Sequence, residues 1–327
     1  MKYVGLHQQQ SSNNFKSVLL LCLFPCLVVI LTFLFSFLLN WYSTSSYEAA
    51  EYNSMSVWDM SVLQTIQLLP FVLGGVLIWF LIAYFANTAI IKSATGAKPL
   101  ERKENMRVYN LVENLCMSKG MQMPQVNILE DDSLNAFASG INNRTYTVTL
   151  SRGIINKLND DELSGVIAHE LTHIRNRDVR LLIVSIVFVG IFSMLTQLAF
   201  RILANSGRSR SSNNKNSGAA MIIILLILVV VALIGYFFAT LMRFAISRKR
   251  EYMADAGAAE MTRQPEALAS ALRKISGDPD IESVSRADIA QLFIEHPLKS
   301  KKKKSAFSSL FATHPPIEKR IEVLEQI

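Results

Sequence analysis

Charge is what this sequence has least of. Only 18% of its 327 residues are Asp, Glu, Lys or Arg and 50% are hydrophobic, which is too apolar for an ordinary soluble domain and points to a membrane protein. Cysteine is nearly absent as well. Cys22, Cys26 and Cys116 make no metal pattern and two of them lie in an apolar run, so they read as small apolar fillers rather than a redox pair. The chain has no internal repeat, no Gly-rich phosphate loop and no nucleophilic serine motif, which excludes repeat arrays, nucleotide hydrolysis and serine-hydrolase chemistry. The net charge of +7 is mostly loop charge beside apolar stretches, so it gives no argument for nucleic acid.

Four long uncharged stretches are present. Residues 18–39 lie inside a run without charge from Lys16 to Glu48 and are long enough to cross the ~30 Å hydrocarbon layer. A secretory signal has a shorter apolar core and a small-residue cleavage site, so this is a retained first span. Residues 62–91 form the second, with Pro70 and Gly74-Gly75 inside it, which a membrane helix tolerates. Lys2 and Lys16 precede this pair, Lys92, Lys98, Arg102 and Lys103 follow it, and the loop between has Glu48, Glu51 and Asp59. Both ends of the hairpin are therefore expected in the cytoplasm. Residues 181–200 and 218–242 are the other two stretches. If both cross, the chain returns to the side it left. Arg201, Arg208, Arg210 and Lys215 would then face outward against the charge rule, and a hairpin packed within the protein or in one leaflet is the competing picture.

Between the two pairs the composition turns globular. Val108, Leu111, Val112, Leu115 and Cys116 make a helical stripe ending at Gly120, and residues 124–130 and 145–150 read as strands. Residues 134–140, around Phe137, form either an ordinary core strand or an edge that pairs with an extended peptide.

Most of the chemistry is concentrated at His169-Glu170-Leu171-Thr172-His173. Leu163, Val166, Ile167, Leu171 and Ile174 recur at helical intervals, with acids at the start of the run and Arg175 and Arg177 at its end. Histidines four apart stand one above the other on a helix, so both imidazoles can reach one metal ion. Glu170 lies about 60° round the helix from His173, close enough to face water at such a metal without displacing it. It is the candidate base. Asp178 is a poorer ligand candidate, because a continued helix would put it about 180° from His169.

A catalytic zinc keeps three protein ligands, so one remains to be found. Glu251 and Asp255 share one face of a predicted helix that runs through Ala258 and Ala259 to 267–275. Spacing alone leaves two readings, a solvated Arg/Glu face or a ligand with its hydrogen-bond partner. The lysine-rich run at 299–304 reads as a solvated mobile loop, and Ile317, Ile321 and Leu324 as the buried stripe of a last helix opened by prolines.

Four motifs in order carry a resemblance. They are Leu134-Asn135-Ala136-Phe137-Ala138-Ser139-Gly140, Ala168 to His173 with Arg177-Asp178, Ser247 to Asp255, and Thr313-His314-Pro315-Pro316 with Arg320. Over nearly its whole length the chain resembles an HtpX-type membrane zinc metalloprotease, a gluzincin related to the type I CAAX prenyl proteases. The resemblance implies that Glu251 is the third zinc ligand beside His169 and His173, and that Asp255 supports the ligands. It also implies that Asn135, Ala136, Phe137 and Ala138 border the substrate groove, and that His314 and Arg320 lie near the zinc to hold substrate or the oxyanion. Four apolar segments replace the larger helical chamber of the prenyl-protease branch, which tells against a prenylated substrate.

The expected fold is a mainly α membrane protein with a small β-sheet: four transmembrane segments and a cytoplasmic zincin-like α+β catalytic domain. Its expected parts are a transmembrane hairpin at 1–91, the first catalytic part at 92–178, a second hairpin at 179–242 and the second catalytic part at 243–327. One Zn2+ per chain, polypeptide substrates drawn from membrane proteins, and the lipid bilayer are the expected cofactor and partners. The expected activity is endopeptidase cleavage of misfolded or damaged membrane proteins at the cytoplasmic face of a bacterial inner membrane, as protein quality control. A prenyl-peptide protease and a non-hydrolytic, zinc-stabilised adaptor are the alternatives.

Overall fold

The computed structural model describes residues 6–46, 55–206, 215–244, 249–276 and 315–327. The chain is mostly helical, with a small sheet, and its contacts divide it into two compact units. One comprises residues 1–17, 84–186 and 244–327; the other comprises 18–83 and 187–243.

The second unit is built from the apolar parts of α1 (Leu6–Ser46), α2 (Val57–Thr95), α6 (Asp178–Ser206) and α7 (Lys215–Phe244). Phe24 of α1 packs on Phe192 of α6 with ring centroids 5.6 Å apart. Asn40 ties α1 to α2 by donating to the Ser61 hydroxyl at 3.1 Å and to the Gln64 side-chain oxygen at 3.0 Å. Ile30, Ile66, Phe71 and Ile78 all face outward. Helices apolar all round have no solvated face, as membrane helices lack one. Among the described residues two helical segments, Ser11–Thr44 and Val57–Ala86, are long and apolar enough to cross a membrane; Gly190–Ile202 and Ile222–Phe238 are shorter apolar helices.

The first unit holds the sheet, in the order β1-β2-β4-β3, formed by β1 (Lys98–Pro99), β2 (Gln125–Leu129), β3 (Ala136–Ser139) and β4 (Thr147–Ser151). β2 runs parallel to β4, with Val126 opposite Val148, while β3 pairs antiparallel with β4, with Phe137 opposite Thr149. β3 is thus an edge of the described sheet. The two-residue β1 was not expected, since so short a strand offers no alternation to read.

Around the sheet lie α3 (Met106–Ser118), α4 (Arg152–Lys157), α5 (Asp160–Arg175), α8 (Lys249–Thr262), α9 (Pro265–Ile275) and α10 (Ile317–Leu324). α5 is the hub, packing on α3, α8, α9, β3 and β4. The expected single helix through 249–275 is two, because the chain turns at Arg263 with φ 58° and restarts at Pro265. Proline has no N–H for a helix interior and suits the first turn instead.

α5 starts on a capping box: the Glu162 amide donates to the Asn159 side chain at 2.9 Å and the Asn159 amide to Glu162 Oε2 at 3.0 Å. Glu162 also accepts from Ser270 and Lys274 of α9, both at 2.7 Å. Burial pushes its carboxyl pKa up, but the bonds from Lys274, Ser270 and the Asn159 amide more than reverse this and hold it low. Glu162→Ala should therefore cost roughly 1–3 kcal/mol of unfolding free energy. A folded pKa below the unfolded value of about 4.3 stabilises fully above that value and ceases to do so as pH falls through the folded one. Thermal unfolding in detergent should show the gap between wild type and Glu162→Gln narrowing in acid; a gap constant with pH would count against the network.

Candidate metal centre

His169 and His173 stand one turn apart on α5, with their rings at 90° and their Nε2 atoms 3.2 Å apart. α8 brings Glu251 to them, with Oε1 3.6 Å from His173 Nε2 and Oε2 3.8 Å from His169 Nε2. One donor atom from each of the three residues lies within 4.8 Å of the other two. Small residues allow this approach. Ala254 and Ala258 are fully buried on the face of α8 that carries Glu251 and Asp255, and a Cβ on Gly257 would come within 2.4 Å of Thr172 Cγ2 on α5.

Each imidazole is held from behind by a carboxylate. His169 Nδ1 lies 2.9 Å from Asp255 Oδ1, and His173 Nδ1 lies 3.0 Å from Asp178 Oδ2. An Nδ1–H donated to each carboxylate leaves both Nε2 atoms as lone-pair acceptors, facing one another and the Glu251 oxygens. Acceptors so placed repel unless a cation or a proton lies among them. Arg320, 1% exposed, makes a bidentate pair with Asp255: Nε donates to Oδ2 at 2.9 Å and Nη2 to Oδ1 at 2.7 Å. Its Nη1 also lies 3.6 Å from Glu251 Oε2. Arg250 Nη1 donates to the Asp178 carbonyl at 3.4 Å.

Electrostatics follow from burial. Desolvation, ahead of every other influence, lowers His169 to about 4. Burial acts the same way on His173, but the Asp178 hydrogen bond and the charges of Glu251, Asp178 and Glu170 outweigh it and raise the residue to about 9. Burial also opposes ionisation of Asp255, whose pKa is nevertheless lowered by the Arg320 charge and by hydrogen bonds from His169 and Arg320. Glu170 is 2% exposed and close enough for its charge to raise both His173 and Arg320. With both imidazoles neutral, as metal ligation requires, the four buried carboxylates Glu170, Asp178, Glu251 and Asp255 meet two guanidiniums, an excess of two negative charges that a divalent cation would balance by taking the place of the His173 proton. Two borderline imidazole nitrogens and a carboxylate oxygen make a donor set that suits zinc.

Residues 102–327 match the model of peptidase family M48. The chain belongs to that family. Among its relatives, the Protease HtpX homolog of Bacteroides fragilis is 67% identical over 327 residues, covering 100% of both chains. The Protease HtpX homolog of Listeria innocua is 45% identical over 257 residues, 76% of this chain and 83% of that one. The crystal structure of S. mikatae Ste24p aligns with a TM-score of 0.46 at 21% identity, over 80% of this chain and 58% of that one. As an M48 peptidase the chain is a metalloprotease, and its substrates are polypeptides.

The candidate centre brings together His169, Glu170, His173, Glu251, Asp255 and Arg320, while β3, with Ala136, Phe137 and Ala138, packs on α5 and has Asn135 just before it. His314 and the lysine run at 299–304 lie outside the described residues. Asp178 is where periodicity misleads. α5 stops at Arg175, Asn176 caps it, and Arg177 adopts φ 61°, so Asp178 leaves the helical path and meets His173 instead of lying across the helix. Little in the sequence signals this turn, since its left-handed position is taken by Arg177 rather than by the glycine or asparagine usually found there, and Asn176 stays right-handed.

Proposed function

We propose that this M48 metalloprotease is a zinc-dependent endopeptidase of the membrane, cleaving misfolded or damaged membrane proteins at the cytoplasmic face of a bacterial inner membrane as protein quality control. The convergence of His169 Nε2, His173 Nε2 and Glu251 on one point, with Glu170 buried beside them, carries this reading. His169, His173 and Glu251 would hold one zinc ion, which supplies a Lewis acid that polarises the scissile carbonyl and acidifies water. Glu170 takes the proton of the attacking water and delivers it to the leaving amine. Asp255 and Asp178 fix the tautomers of His169 and His173, and Arg320 holds Asp255 in place.

The substrate lies along β3, where an extended peptide would add to the sheet beside α5, bordered by Asn135, Ala136, Phe137 and Ala138. His314 is assigned to the oxyanion by resemblance alone. Four apolar segments, 18–39, 62–91, 181–200 and 218–242, are proposed to cross the bilayer, and the basic residues flanking the first pair put the catalytic unit in the cytoplasm. The two long apolar helices and the bacterial relatives support the location.

Competition tests the substrate class. Detergent-purified protein with zinc should cleave an unfolded membrane protein, and an equimolar prenylated cysteine peptide should leave that rate unchanged. Preferential cleavage of the lipidated peptide would move the protein to the prenyl-peptide class.

A further inference from the structure

The polar segment ahead of the first apolar stretch contains a residue with no surface role. Asn13, on the amino-terminal turns of α1, is 0% exposed and belongs to the same compact unit as the metal centre. Its amide nitrogen donates both hydrogens: to Asp178 Oδ1 at 2.7 Å and to the Asn176 carbonyl at 2.8 Å. One side chain thus clasps the end of α5 to the carboxylate behind His173. The Asn13 Oδ1 is buried without a hydrogen-bond partner among the described residues. An asparagine kept only to fill space would be replaced without loss by an apolar side chain, because half of its polarity is buried unmet. What its amide gives the protein is the pair of donors.

We infer that Asn13 is a positioning residue for the metal centre, acting through Asp178 on His173. This rests on the zinc reading above. Asp178 has two oxygens and several suitors. Oδ2 accepts from His173 Nδ1 at 3.0 Å, while Arg250 Nη1, which donates to the Asp178 carbonyl at 3.4 Å, lies 4.0 Å from Oδ1. Asn13 occupies Oδ1 and so sets the rotation of the carboxylate. Without it, the carboxylate can turn towards the Arg250 guanidinium, a charged donor and the stronger partner. His173 would then lose the acceptor that fixes its tautomer and aims Nε2 at the metal. The segment ahead of the first span thus positions a metal ligand, reaching His173 through two hydrogen bonds.

The test is a double-mutant cycle read by zinc affinity, with the metal-free full-length protein in detergent titrated against a competing chelator. Asn13→Leu keeps the branched outline of the side chain, with greater bulk, and removes the donors. Removing a ligand's own hydrogen-bond partner costs ~10–100-fold in metal affinity, so Asn13→Leu, one bond further out, should cost up to ~10-fold. In an Asp178→Ala background the same substitution should change affinity by less than about twofold, because the residue through which it acts is gone. Equal losses in both backgrounds would show a structural effect independent of Asp178, and no loss in the wild-type background would show no role at all; either overturns the inference. Wild-type protein that takes up no zinc would instead refute the reading of the centre, and Asn13 with it.

Discussion

Glu170→Gln is expected to bind zinc as the wild type does and to hydrolyse peptide bonds ~10²–10⁴-fold more slowly. Glutamine keeps the volume and a hydrogen-bonding oxygen, but it cannot accept the proton that leaves the attacking water. The residue is 2% exposed, on the same helix as both histidines, and lies outside the three-residue cluster whose donor atoms face one another. A base so placed is available to solvent at the metal without competing for it. Metal analysis and proteolysis of the two purified proteins side by side separate the possibilities. Loss of zinc together with activity would make Glu170 a ligand, and undiminished activity would remove it from the mechanism.

Glu251→Ala should lose zinc more severely than the ~10–100-fold expected for removing a partner that only supports a ligand. Two imidazoles remain in the variant, but the carboxylate 3.6 Å and 3.8 Å from their Nε2 atoms is gone. The excess of negative charge that draws a dication falls by half, and Arg320, whose Nη1 lies 3.6 Å from Glu251, is left to repel the metal. Chelator competition gives the affinity, and thermal unfolding of the metal-free form shows whether the fold has survived. Wild-type affinity in a folded Glu251→Ala protein would mean that α8 contributes no ligand.

How much of this could be read from the sequence depended on how local the cause was. The body of α5 was legible, though not its end, because its apolar interval, its acidic first turn and its two histidines all lie within sixteen residues. Glu251 and Asp255 were legible only as neighbours on a face. Spacing alone favoured a solvated surface over a ligand pair, and only the resemblance reversed this, since nothing local states which helix α8 meets; the small residues Ala254, Gly257 and Ala258, which let it approach α5, explain the meeting afterwards. Arg320 lies 65 positions from its partner Asp255 and was assigned by resemblance. Asp178 was weighed as a ligand and set aside, and Asn13 was missed, for two reasons. The first needs the left-handed turn at Arg177, which no helical wheel contains, and the second is joined to Asp178 across 165 positions by one hydrogen bond.

Zinc-edge X-ray absorption on the loaded wild-type protein reads the ligand set itself. Two imidazole nitrogens with oxygen donors and no sulfur should surround the metal, and this coordination should change for any residual metal in Glu251→Ala. A sulfur contribution, a third imidazole, or a spectrum untouched by removal of the carboxylate at Glu251 would contradict that ligand set.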